Sequence, residues 1–145
     1  MPSPFDIIEF ENRSIMALHN HLLVNGYTLL PPVDVDKTKV WMQALVDSIG
    51  MKTVQGPFAS YVEKEGNRGL TATVMIETSH IAMHVWDETD PAFIQFDLYT
   101  CSTLPVEKVL RNLEDHFGLF NYTTLVLERS DGFKIVPEER WSEVG

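Results

Sequence analysis

Hydrophobic and polar positions divide the chain into segments of differing period. His21-Leu22-Leu23-Val24 and Tyr27-Thr28-Leu29-Leu30 predict a first strand, bulged at Gly26 and closed by Pro31-Pro32. The period then lengthens. Trp41, Leu45 and Ile49 fall on one face of a helix that Asp34 or Asp36 can cap and Gly50 ends. Val54 to Lys64 predicts a strand and Glu65-Gly66-Asn67-Arg68-Gly69 a turn. From Leu70 to Glu88 the chain stays rich in β-formers, far beyond an ordinary strand of about five or six residues. It must break, and its least apolar place is Glu77-Thr78-Ser79, so strands are expected over 70–77 and 80–87, meeting at Ser79. Over 93–100, Ile94, Phe96 and Leu98 alternate with Gln95, Asp97 and Tyr99, as in a strand with one buried face. Thr103-Leu104-Pro105 opens a second helix with an apolar stripe of Val106, Val109, Leu110, Leu113 and Phe117, ended by Gly118; Tyr122 to Glu128 predicts the last strand.

The order β-α-β-β-β-β-α-β, with hairpin links between the middle strands, predicts an α+β fold. Its expected form is a two-layer sandwich in which a mostly antiparallel sheet carries both helices on one face. The other face is left to solvent or to a second copy of the chain. No repeat or Gly/Ser linker divides the sequence, so a single domain is expected over 1–145, with residues 1–13 a loosely attached arm.

Composition narrows the function. A chain of 145 residues, 44% hydrophobic and 22% charged, has the balance of a globular domain, not of a disordered tail or a disulfide miniprotein. A formal charge of −10 repels phosphate backbones, so nucleic acid is not an expected partner, and an acidic surface favours amines or sulfonium compounds. No apolar run approaches the ~20 residues that cross a bilayer, and Met-Pro-Ser-Pro-Phe-Asp is unlike a signal peptide. The expectation is a cytoplasmic protein with no membrane partner. The lone cysteine, Cys101, is either a small buried hydrophobe or a working thiol.

Ser79, His80, His84 and Cys101 are the nucleophile and base candidates that fall together, near strand ends in mid-sheet. On residue types alone, two half-buried histidines and a core cysteine are the plainer account. No metal is expected, because four residues of strand span about 13 Å and His80 and His84 cannot meet one ion there. His19 and His21 can share a strand face, but no third ligand type stands out beside them, and a surface role is expected. A serine hydrolase is poorly supported, since no G-x-S-x-G elbow is present. Cys101 and His84 form a thiol pair only if adjacent strands bring them together, and a thiol with a reference pKa near 8.5 can donate a proton without activation.

The segment Thr78-Ser79-His80-Ile81-Ala82-Met83-His84-Val85-Trp86-Asp87-Glu88, followed by Asp97-Leu98-Tyr99-Thr100-Cys101-Ser102, resembles the signature of the bacterial and archaeal S-adenosylmethionine decarboxylase proenzymes. That family carries S-H-I-x-I-H-T-W-P-E and then D-x-F-T-C-G. His21-Leu22-Leu23-Val24 is similar to its first strand and Gly69-Leu70-Thr71 to its G-V-S, so the resemblance covers roughly Asn20 to Glu128. It implies a pyruvoyl cofactor made from the chain's own backbone. Ser79 attacks the carbonyl of Thr78, the amide becomes an ester, and β-elimination and hydrolysis leave a pyruvoyl group on the downstream fragment. That group then forms an imine with the substrate amine and accepts the electrons freed as CO₂ leaves. By the same resemblance, His84 assists the elimination, Thr71 stands where the family has a serine aiding it, and Cys101 reprotonates the substrate carbon. Glu88 sits at a glutamate that contacts the substrate's ribose, and Trp86 flanks or underlies the pocket. The product is the aminopropyl donor for spermidine biosynthesis, and the usual assembly is a homodimer.

Two positions and one spacing depart from the family. Thr78 replaces a Glu whose carbonyl alone is attacked, Asp87 replaces the motif proline, and the His84 to Cys101 interval is longer by about two residues. In addition, Glu65 stands where the family has an adenine-stacking aromatic, a contact worth ~1 kcal/mol. Two other readings therefore stay open: a pyruvoyl decarboxylase of arginine or ornithine, with Glu65 or Glu88 pairing the distal cation, and a non-processing homologue with a regulatory or binding role.

Overall fold

In a computed structural model of the chain, residues 18–145 are described, and the arm expected over 1–13 lies outside them. The elements are β1 (Asn20–Thr28), a first helix α1 (Val35–Ser48), β2 (Thr53–Val62), β3 (Gly69–Ile76), β4 (Ser79–Trp86), β5 (Ala92–Thr100), a second helix α2 (Val106–Phe117), β6 (Leu119–Glu128), β7 (Lys134–Ile135) and a 3-10 helix over Glu138–Glu143. The seven strands form one sheet in the order β2-β3-β4-β5-β1-β6-β7, with every pairing antiparallel.

Local chemistry accounts for the elements. Asp34 caps α1 by accepting the Lys37 backbone N–H, and Trp41, Met42, Leu45 and Val46 bury its inner face. The stripe on α2 is buried at Val106, Val109, Leu110, Leu113 and Phe117, and each such side chain contributes roughly 1.5–3 kcal/mol on leaving water. Trp41 meets Phe117 edge-on with ring centroids 4.6 Å apart, so the two helices lie together on one face of the sheet. Ala92, Ile94, Phe96 and Leu98 of β5 and Ile81, Met83 and Val85 of β4 point into that same core. The strand period of two sends Phe93, Gln95, Asp97 and Tyr99, with His80, Ala82, His84 and Trp86, to the opposite, helix-free face.

The bulge expected at Gly26 is present as a register shift between Asn25 and Tyr27 against β6. A Cβ there would stand 2.5 Å from the Tyr122 Cβ, so the close approach of β1 and β6 requires glycine. Two features depart from the expected pattern. β6 begins at Leu119, directly after the Gly118 helix stop. The tail also adds β7 and the 3-10 helix, which seats Trp141 against the core with its indole N–H donating to the Val136 carbonyl at 3.0 Å. Among the described residues, no helix is long and apolar enough to cross a membrane.

Candidate functional site

The over-long β stretch breaks at Glu77-Thr78, which joins β3 to β4 as a two-residue turn; Ser79 is the first residue of β4 and not the break itself. Ser79 pairs with Ile76 across the hairpin and with Thr100 across β5. It holds φ at +148°, a conformation that costs a residue with a side chain about 1–3 kcal/mol. The preceding Thr78 carbonyl accepts the Cys101 backbone N–H at 3.0 Å. Strain at a serine and a donor on the neighbouring carbonyl therefore coincide at one peptide bond. The donor draws electron density from the carbonyl carbon and can stabilise an oxyanion formed there. Ser79 also opens onto a cleft of about 220 Å³ lined by Phe58, Thr73, Met75 and His80.

Thr71 and His84 form a second group. They are cross-strand partners, with Thr71 Oγ1 and His84 Nδ1 3.4 Å apart on the helix-free face. Five residues of strand separate His84 from Ser79, about 17 Å, and the residue opposite His84 on β5 is Gln95. Within one chain, His84 therefore makes no thiol pair with Cys101 and does not reach the Thr78–Ser79 bond, although sequence reasoning had placed these residues in one group.

Beyond His84, the end of β4 is stitched to the β2–β3 turn. The Trp86 indole N–H donates to Asn67 Oδ1 at 2.8 Å. Asp87, at the position of the motif proline, accepts from Arg68 Nε at 2.8 Å and from the Tyr61 hydroxyl at 2.7 Å. Burial works against the Asp87 charge, but these two hydrogen bonds outweigh it and hold its pKa below the usual value. Glu88 accepts the Arg68 N–H at 3.0 Å on one oxygen and the Gly66 N–H at 3.2 Å on the other, which lowers its pKa. Glu65 is exposed within the same turn. Gly69 makes the docking possible, because a Cβ there would stand 1.8 Å from the Val85 carbonyl oxygen. Sequence reasoning missed Arg68, Asp87 and Tyr61; the pair of acids after Trp86, facing a Gly-rich turn with one arginine, was the available signal.

His21 is not a plain surface residue. Its Nε2 and that of His80 lie 3.1 and 3.2 Å from the same oxygen of Asp97. The three ligand-type atoms fall within 4.8 Å of one another, an arrangement that resembles a metal site. However, Arg129 Nη1 is 3.0 Å from His21 Nδ1, and a guanidinium only donates. Nδ1 is thus the acceptor, and the Nε2 proton of His21 points at Asp97, which leaves that nitrogen no lone pair for an ion. Burial raises the Asp97 pKa, but the hydrogen bonds and electrostatic attraction of His21 and His80 more than offset it, and the net shift is downward.

The sequence profile described as S-adenosylmethionine decarboxylase matches residues 20–130. Among similar proteins, one from Archaeoglobus fulgidus, named S-adenosylmethionine decarboxylase proenzyme, is 27% identical over 115 residues, which cover 79% of this chain and 99% of the relative. A protein of the same name from Synechococcus sp. (strain WH7803) is 26% identical over 127 residues, covering 83% of this chain and 97% of the relative. A crystal structure titled as the adenosylmethionine decarboxylase from Aquifex aeolicus shares the fold with a TM-score of 0.62 at 20% identity, covering 85% of this chain and 96% of the other. The profile match begins at the first residue of β1, runs just past β6, and takes in both ends of β4, so the chain belongs to the S-adenosylmethionine decarboxylase family.

Proposed function

We propose that this chain is a self-processing, pyruvoyl-dependent decarboxylase of S-adenosylmethionine that cuts itself between Thr78 and Ser79. The observation that carries the reading is the coincidence of the positive φ of Ser79 with the hydrogen bond from Cys101 N–H to the Thr78 carbonyl. Ser79 Oγ attacks the Thr78 carbonyl carbon, the C–N bond breaks, and the hydroxyl proton ends on the freed amine, giving an ester. Removal of the Ser79 Cα proton expels the Thr78 carboxylate and leaves dehydroalanine. Water then adds, ammonia leaves, and a pyruvoyl group remains at position 79.

The group fits this corner, where a half-buried serine starts a strand and opens onto a cleft. Once formed, it supplies an electrophilic carbonyl that binds the substrate amine and accepts the electron pair released with CO₂. Cys101, following the strand residue that pairs with Ser79, holds the thiol proton for return to the substrate carbon. In one chain, His84 is about 17 Å from Ser79, so its part in the elimination requires a second copy. In this reading a second copy packs on the helix-free face and brings its Thr71 and His84 to the Ser79 and Cys101 of the first. The functional unit in this reading is a homodimer, in the cytoplasm, making the aminopropyl donor for spermidine.

Trp86 and Glu88 favour S-adenosylmethionine as the substrate, whereas the exposed Glu65 favours a second reading, an arginine or ornithine decarboxylase. A CO₂-release assay of the cleaved chain on the three compounds decides. Release from S-adenosylmethionine alone is expected. Release from arginine or ornithine alone establishes the second reading, and a fully cleaved sample inert toward all three defeats both.

A further inference from the structure

The buried hydroxyl of Thr100 has no part in the chemistry above, yet it touches Thr78, the residue whose carbonyl belongs to the bond to be cut. Thr100 is 0% exposed and sits in β5 between Asn20 of β1 and Ser79 of β4. A threonine hydroxyl has one proton and two lone pairs. The proton goes to Thr78 Oγ1 at 2.9 Å, and one lone pair accepts the Ser102 backbone N–H at 3.0 Å. The residue between those two contacts is Cys101, whose N–H rests on the Thr78 carbonyl at 3.0 Å. One side chain thus fixes the scissile residue through its hydroxyl and fixes the following loop by its second residue. Cys101 N–H is held between these anchors.

We infer that Thr100 is a positioning residue for self-cleavage, a clamp that keeps the Cys101 N–H on the Thr78 carbonyl. The inference rests on the self-processing reading. It also gives the departure at position 78 a role: the threonine hydroxyl in the turn before β4 accepts the Thr100 proton. Valine at position 100 keeps the shape and loses both contacts, leaving the Thr78 hydroxyl and the Ser102 N–H without this partner.

Two measurements on the full-length chain test the clamp. The first follows loss of intact, freshly synthesised chain by mass spectrometry. T100V is expected to cleave about tenfold more slowly than wild type, T100S to recover the rate to within about twofold, and T78V to slow it as T100V does. The double variant T78V/T100V should be no slower than either single one. T78V probes the same contact from the half-buried side, so misfolding of T100V alone does not end the test. The second measurement needs no cleavage: in an S79A background, T100V should speed exchange of the Cys101 amide proton about tenfold. Wild-type cleavage with T100V equally fast overturns the clamp and leaves the self-processing reading intact. An uncleaved wild type with Cys101 exchange accelerated by T100V defeats self-processing but retains the clamp contact. Exchange unmoved by T100V overturns the clamp in either case.

Discussion

At one end of β4 the backbone is strained and a carbonyl is held by a donor; at the other end almost every polar group is already paired. Ser79 sits at φ +148° beside the Thr78 carbonyl, on which Cys101 N–H rests. At the far end of the strand, Trp86 donates to Asn67, Asp87 accepts from Arg68 and Tyr61, and Glu88 accepts the backbone N–H groups of Gly66 and Arg68. The first end is arranged for chemistry on the chain itself, the second for holding a turn in a fixed place. Thr71 and His84 lie between them, beyond reach of Ser79. One chain thus carries both halves of the proposed machinery without joining them.

The largest expected effect comes from separating those halves. S79A and H84A should each fail to cleave when expressed alone. Co-expressed, the H84A chains should be cut, because a mixed dimer sets their intact Ser79 against His84 of the S79A copy; mass spectrometry distinguishes the two chains. No cleavage in the mixture breaks the two-copy account. Next is the stitched end: G69A must place a Cβ where the Val85 carbonyl oxygen stands. It should lose about 3 kcal/mol or more of stability, read as a lower urea midpoint, and a midpoint equal to wild type would show that the turn is not pressed onto β4.

A smaller effect is expected at Glu88, whose two oxygens each accept a backbone N–H. E88Q keeps one acceptor and loses the charge, so KM for S-adenosylmethionine should rise about tenfold while the rate of self-cleavage is unchanged. Slower cleavage would mean that the two ends are coupled within one chain. The smallest effect lies at Asp97, whose pKa is lowered in the fold. A lowered carboxylate pKa contributes stability above the unfolded value of about 3.9, and that contribution is lost as pH falls through the folded pKa. D97N should therefore be less stable than wild type at pH 7 by under about 1 kcal/mol, since the site is part-exposed, with the gap closing below about pH 4. A gap that persists at pH 2 would assign it to packing and not to charge.

The period of the sequence revealed the sheet and helices because each element buries one regular face. The alternation of Ile94, Phe96 and Leu98 and the stripe from Val106 to Phe117 reappear as buried residues in the structure. The strand break was legible from length alone, but its position was not: Glu77-Thr78 form the turn and Ser79 pairs within β4. The separation of Ser79 from His84 was already implied by five residues of strand. The network of His21, His80 and Asp97 was hidden because its members are brought together by the register of three strands, not by spacing along any one. Residues 134–143 gave no strong period, and only Trp141 in a charged tail signalled that the segment packs down.

Every proposed step depends on this chain remaking its own backbone at Ser79. Intact-mass analysis of the purified, incubated protein tests it most directly. Two fragments are expected, residues 1–78 and 79–145, the second beginning with a pyruvoyl group and giving no sequence by N-terminal degradation. A single intact chain, unchanged on long incubation and indistinguishable from S79A, would contradict it.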